Sequence, residues 1–199
     1  TDQVIYQIMI DRYRGDEGAA LAPPATLGSR AGGTLDGVRA SIEDGSLDRI
    51  GVTTVWLSPV YRNPTGMRDG HEYESYHGYW PADGRAVDDR IGGDAALRRV
   101  VEVAHAHGMR VILDLVPNHV DETNPLYAEH GKDGWFNPTG CVCGDEDCPW
   151  GEFIQSCWFA SYLPDVHFQH DAAIDYAAEE ARYWLDTFDL DGFRIDAVK

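Results

Sequence analysis

Arg194 and Asp196 carry the sharpest chemical signal in the chain: they interrupt an otherwise apolar run, Gly192-Phe193-Arg194-Ile195-Asp196-Ala197-Val198-Lys199. Side chains two residues apart on a strand project to the same face, so a strand here sets a guanidinium beside a carboxylate. A neighbouring cation favours the ionised carboxylate. An aspartate held as an anion is what carboxylate nucleophilic catalysis requires. The same pair would serve equally well as a structural ion pair at a strand end, because both kinds of site perturb charges.

Deciding between the two requires the elements that would position them. Val4 to Ile10 is an apolar run with a β-branched and aromatic bias, and it predicts a buried strand. Gly, Ala and Pro then mark a loop to about Gly33. Leu35, Val38 and Ile42, followed by Leu47 and Ile50, recur at helical spacing, with an interruption at Gly45 and a left-handed cap at Gly51. Residues 52–58 predict a second strand stopped by Pro59, and residues 60–93 a long loop. Asp94 is the expected cap of a helix whose stripe is Leu97, Val100, Val101 and Ala104, ended by Gly108. A third strand is expected over 110–116, then an irregular stretch to about residue 171. A helix over 172–188, with Ala177, Ala181, Trp184, Leu185 and Phe188 on one face, leads into the strand that carries Arg194.

Helix, glycine and strand thus follow one another three times, at Gly51, Gly108 and Gly192. Alternating β and α units imply a parallel sheet with right-handed crossovers. No glycine-rich phosphate turn follows the first strand, which disfavours a doubly wound nucleotide-binding sheet. A (β/α)8 barrel places long loops and reactive residues after the carboxyl ends of its strands, where Asp11, Ser58, Asp114 to His119 and Asp196 fall. The expected fold class is therefore α/β, a (β/α)8 TIM barrel of which this chain supplies the first four strands. The irregular insertion follows the third strand. The expected division is 1–118 for the first part of the barrel, 119–170 for the inserted, cysteine-containing domain, and 171–199 for the barrel continued, with Lys199 as a truncation point.

Composition narrows the partners. A formal net charge of -18 and a pI near 4.6 argue against nucleic acid and anionic membranes, and favour a neutral ligand. No apolar run has the length of a membrane span, and Thr1 to Gln7 lacks the layout of a secretory signal. The cysteines Cys141, Cys143, Cys148 and Cys157 lack the paired knuckles of structural zinc sites. Two disulfides of open connectivity, with no thiol left over, fit them better than zinc or free thiols, and imply an oxidising compartment outside the cytoplasm, extracellular or periplasmic. A bond between Cys141 and Cys143 is disfavoured, since so short a loop strains it.

Four stretches, taken together, resemble the alpha-amylase family of retaining glycoside hydrolases across essentially the whole chain: Tyr76-His77-Gly78-Tyr79-Trp80, Asp114-Leu115-Val116-Pro117-Asn118-His119, Leu163-Pro164-Asp165, and Gly192 to Lys199. The resemblance implies that Asp196 is the nucleophile and Arg194 its orienting partner, with His77, Tyr79, Asp114, His119 and Lys199 binding the sugar. It further implies that Asn118 and Asp165 are ligands of a structural calcium joining the insertion to the barrel. Gln155 stands where the family often has an acidic ligand. The chemistry of a sugar, hydroxyls around an apolar face, suits aromatic stacking and a fan of hydrogen bonds, which these residue types provide. Each has a plainer alternative: core packing for Tyr79 and Trp80, a satisfied buried histidine for His119, and for Asp114 a structural acid that orients Arg194.

The activity implied is hydrolysis of α-1,4-glucosidic bonds in starch-like glucans through a covalent glycosyl-enzyme. The general acid is expected on later strands, which would leave this stretch inert by itself. A transglycosylase or glucan synthase of the same family, and a non-catalytic carbohydrate-binding relative, are the alternatives; retention of both Asp196 and Arg194 disfavours the last.

Overall fold

A computed structural model of the chain describes residues 3–67, 72–143, 148 and 150–198. Four parallel strands, β1 (Ile5–Ile8), β2 (Thr54–Leu57), β5 (Arg110–Leu115) and β6 (Gly192–Ile195), form one sheet in that order. Between them lie the helices α1 (Leu35–Glu43), α2 (Ser46–Arg49), α3 (Gly93–Ala106) and α6 (Asp171–Phe188). The crossovers have the βαβ logic of a barrel wall, in which each helix covers the outer face of its strands.

That outer face is the core. Val55, Leu57, Val111 and Leu113 point outward from the strands and meet Val38 and Ile42 of α1, Leu97 and Val101 of α3, and Trp184 and Phe188 of α6, all buried. Trp184 stacks on Phe188 with ring centroids 5.1 Å apart, and its indole N–H donates to the Gly84 carbonyl at 2.9 Å. An indole can be buried so deeply only with that donor satisfied. The helix boundaries follow local chemistry. Thr34 caps α1 by accepting from the Gly37 N–H at 3.1 Å, and Gly45, at φ +71, breaks the chain between α1 and α2 where the sequence placed its interruption.

Three expectations are corrected. Asp94 does not cap α3; the helix begins at Gly93 behind Gly92, which at φ +116 makes a turn no side chain favours, and Asp94 accepts from the Val87 N–H instead. The stretch 60–93 is not loop throughout, because β3 (Tyr61–Arg62) and β4 (Asp83–Val87) pair antiparallel across it. The first strand ends at Ile8, and Ile10–Arg12 turn as a 3-10 helix in which Asp11 is buried and accepts from the Ala31 and Gly32 N–H groups at 2.8 and 3.3 Å.

The stretch after β5 carries the short helices α4 (Pro125–His130) and α5 (Trp150–Phe153). Its start and return clasp each other: Val120 N–H donates to the Pro164 carbonyl at 3.1 Å and Val166 N–H to the Asn118 carbonyl at 2.8 Å. Val120, Phe136, Val166 and Ala173 form a small core beneath the clasp, and Trp80, Tyr162 and Leu163 another beside it.

Candidate active site

Strands β5 and β6 are in register as Asp114 with Arg194, so the two side chains leave the sheet on the same, inner face. Asp114 is wholly buried, and its carboxylate is fully occupied. Oδ1 accepts from Arg194 Nη1 at 2.8 Å, while Oδ2 accepts from the Tyr79 hydroxyl at 2.7 Å and from Trp56 Nε1 at 3.2 Å. Arg194 Nη1 also donates to Asp196 Oδ1 at 2.6 Å, so one guanidinium nitrogen bridges two carboxylates. Its carbon stands 5.5 Å from the centre of the Trp56 ring, a cation–π contact that steadies it from below.

Electrostatics follow this packing. Burial pushes the Asp114 carboxyl above its usual range, against the hydrogen bonds of Arg194 and Tyr79, which favour its ionised form. The hydrogen bond to Asp114 is the chief reason that Arg194 is held more firmly protonated than usual. Burial, followed by the hydrogen bond to Asp114, pushes the Tyr79 phenol well up, so it stays a hydroxyl and a donor.

Asp196 follows the last residue of β6, anchored by its N–H to the Leu115 carbonyl at 2.8 Å, and the next residue, Ala197, takes a positive φ of +50. That is the carboxyl end of a barrel strand, where such folds place their chemistry. Asp196 Oδ2 has no hydrogen-bond or ion-pair partner among the described residues. Asp196 lines an open cleft of about 660 Å³ whose walls include Asn118, Asn137 and residues 152–156.

The segment 76–80 packs over the end of β2. Gly78 lies there at φ +85, and a side chain on it would overlap the Pro59 carbonyl oxygen. This close approach sets His77 and Tyr79 face to face, ring centroids 5.7 Å apart. His77 Nδ1 accepts from the Tyr79 N–H at 3.0 Å. Burial, with smaller contributions from His119 and Arg30, pushes His77 down to about 4, so the ring is neutral at pH 7 and carries its proton on Nε2 as a donor. His119 is buried, with Nε2 at 2.9 Å from the Tyr79 carbonyl. Trp80 packs into the small core with Tyr162, which is the plainer of its two expected roles.

The depressed His77 value has a consequence for stability. The unfolded chain takes up this proton near pH 6.5 and the folded chain only near pH 4, so the contribution is complete above pH 6.5 and lost as pH falls towards 4. In a His77→Gln variant the loss of stability between pH 6.5 and 4 is expected to shrink by about 2 kcal/mol, read from denaturant midpoints at a series of pH values. An unchanged pH slope would show that this ring does not govern the acid limb.

Asn118 and Asp165 meet as expected. Asn118 Nδ2 donates to Asp165 Oδ1 at 2.8 Å. Asn137, which the sequence reading did not single out, donates to Asp165 Oδ2 at 2.8 Å. Half a turn of each amide presents Oδ1 in place of Nδ2, and the three side chains then form a hard-oxygen set with a single carboxylate. That donor chemistry fits calcium. Trp56 was the other residue missed. Its place on β2, in register with Ile112 and so on the same face as Asp114, is a signal that alternation along the strands carries.

Lys199 lies outside the described residues. The two disulfides expected are not established as separate pairs. Cys141 Sγ stands within covalent reach of both Cys148 and Cys157, and Cys143 is a free, exposed thiol. Among the described residues no helix is long and apolar enough to cross a membrane.

Four parallel strands with helices on one face, and an arginine shared between two carboxylates at their carboxyl ends, define part of a (β/α)8 barrel enzyme. Residues 7–199 match the alpha amylase catalytic domain, and the chain belongs to the alpha-amylase family, whose members are glycosidases and related transglycosylases. It is 31% identical over its whole length to a cyclomaltodextrin glucanotransferase of Geobacillus stearothermophilus, covering 31% of that protein. It is 29% identical to alpha-amylase 2 of Dictyoglomus thermophilum, with 98% of this chain and 32% of the relative aligned. The crystal structure of a Geobacillus thermoleovorans alpha-amylase complexed with acarbose superposes with a TM-score of 0.79 at 31% identity, over 98% of this chain and 40% of that one. The chain thus spans about a third of the length of the curated relatives it matches.

Proposed function

We propose that this chain carries the nucleophile side of a retaining active site that cleaves α-1,4-linked glucans. The observation that carries the reading is Asp196, with Oδ1 held by Arg194 and with Oδ2 left without a described partner at the cleft. In this reading Oδ2 bonds to the anomeric carbon as the glycosidic C–O bond breaks, and a carboxylic acid on a later strand protonates the leaving oxygen. Water then releases the sugar from the covalent ester. His77 donates from Nε2 to a sugar hydroxyl, Tyr79 offers its ring as a stacking face, and Lys199 contributes a further hydrogen bond. Asp114 and His119 act through their neighbours: both oxygens of Asp114 are occupied, and His119 holds the carbonyl of Tyr79.

The test uses the full-length protein on starch. Retention predicts an α-anomer as the first product seen by proton NMR; a β-anomer overturns the mechanism. Cyclomaltodextrin glucanotransferases stand beside alpha-amylases among the relatives, which supports a second reading in which a sugar acceptor replaces water. Reducing ends released at low and high acceptor concentration separate the two, because transfer leaves their number unchanged.

Calcium, bound by Asn118, Asn137 and Asp165, would tie the insertion to the end of β5 as a structural ion. A chelator is then expected to lower the melting temperature of the full-length protein and calcium to restore it. Saturation at a hundred times Kd is worth about 2.7 kcal/mol. Asn118→Ala and Asp165→Ala should each shrink that response, and a melting temperature indifferent to both treatments removes the assignment. We place the protein outside the cytoplasm, extracellular or periplasmic, because a starch-like polymer is too large to cross a membrane.

A further inference from the structure

The sulfurs of Cys141, Cys148 and Cys157 all lie within 4.8 Å of one another, with those of Cys148 and Cys157 3.3 Å apart. A sulfur carries one S–S bond, so three sulfurs on one point cannot be shared out as disulfides. Three thiolates converging from separate segments is the arrangement of ligands around a soft cation. Zinc–thiolate bonds of ~2.3 Å set the sulfurs of a tetrahedral site ~3.8 Å apart, so sulfurs that already converge this closely need only move apart slightly to surround the ion.

The backbone brings a fourth thiol, that of Cys143, to the same side. Val142 pairs with Trp158 in a parallel bridge, closed by the Trp158 N–H to the Cys141 carbonyl at 3.0 Å and the Cys143 N–H to the Trp158 carbonyl at 2.8 Å. Val142 and Trp158 therefore take one face of this ribbon, and Cys141, Cys143 and Cys157 take the other. Cys143 is exposed, so its side chain can turn towards the cluster without displacing a core residue.

We propose that Cys141, Cys143, Cys148 and Cys157 form a structural zinc site within the insertion. Four thiols release four protons to solvent as four Zn–S bonds form, and no oxidant is needed. The site would also fix one wall of the cleft at Asp196. Cys157 and Ser156 both donate their N–H groups to the Phe153 carbonyl, at 2.9 and 2.8 Å, so the end of α5 hangs on the same segment as the metal. Residues 152–156 face the cleft that Asp196 lines.

The experiment takes the full-length protein, purified with zinc present and without chelator, and measures metal by mass spectrometry and thiols by titration after denaturation in chelator. One zinc per chain and four free thiols from these positions are expected. Cobalt replacing zinc in the native protein should give thiolate-to-cobalt charge-transfer bands, a readout that needs no variant. Cys148→Ser and Cys157→Ser should lose the metal. Cys143→Ser changes only an exposed side chain and should keep the fold, but should yield zinc to a competing chelator at least tenfold more readily. A metal-free protein with these cysteines joined in peptide mapping overturns the proposal. So does zinc retained at full stoichiometry in Cys148→Ser, or a cobalt spectrum without thiolate bands. None of these readouts depends on glycosidase activity.

Discussion

Replacing Asp196 with asparagine is expected to lower starch turnover by the full-length protein at least about 1,000-fold, roughly 4 kcal/mol of lost transition-state stabilisation, while oligosaccharide binding persists. The amide keeps the shape of the side chain and a hydrogen-bond acceptor for Arg194, but it has no carboxylate to form the ester. Turnover is compared with binding, measured by calorimetry on a short glucan. A fall of less than tenfold, about 1.4 kcal/mol, would remove Asp196 from the role. A comparable loss of binding would point to a damaged cleft instead.

The second large effect is expected at Asp114, whose buried oxygens accept from Arg194, Tyr79 and Trp56. Asp114→Asn places an amide N–H₂ against donors on every side, from Arg194, Tyr79 or Trp56. Breaking a fully buried ion pair typically costs about 3–5 kcal/mol; here Arg194 is 38% exposed and solvent screens it, so a smaller loss, read as a lower denaturant midpoint, is expected. A structural role would end there. A positioning role predicts in addition that kcat falls about 100-fold for the fraction that remains folded, with KM little changed, because Arg194 no longer fixes the oxygen of Asp196. Unchanged kcat in the folded fraction would reduce Asp114 to a core acid.

How far the sequence could be read depended on the range of the signal. Strands β2 and β5 and helices α1, α3 and α6 announce themselves by periodicity and terminal glycines, because burial against a single core imposes those periods locally. The pairing of Arg194 with Asp196 is equally local, two residues apart. The hairpin of β3 with β4 could not be seen in the same way. Its first strand is two residues long, its second reads Asp-Gly-Arg-Ala-Val, and the two are separated by some twenty residues that share no period with them. Asn137 and Trp56 were missed because their partners are distant in the chain, 28 and 58 residues away. Asn137 sits in a stretch without period, where nothing in the residue type marks a convergence. Trp56 was recoverable in principle, since strand alternation fixes its face once the register with β5 is known. The cysteines show the opposite limit. Their clustering was plain, yet whether the sulfurs meet as pairs or around one centre is a question of three-dimensional convergence, which spacing does not answer.

The backbone clasp between 118–120 and 164–166 has one more consequence. The insertion leaves and re-enters the barrel at almost the same place, so its two ends are joined before any of its interior is specified. The entropy of closing a loop grows only with the logarithm of its length, and once the ends are fixed, residues added between them cost little. The stretch between Val120 and Pro164 can therefore change in length at little entropic cost to the clasp. It can lengthen, shorten or acquire a new metal site over generations while β5, β6 and the carboxylates between them keep their places.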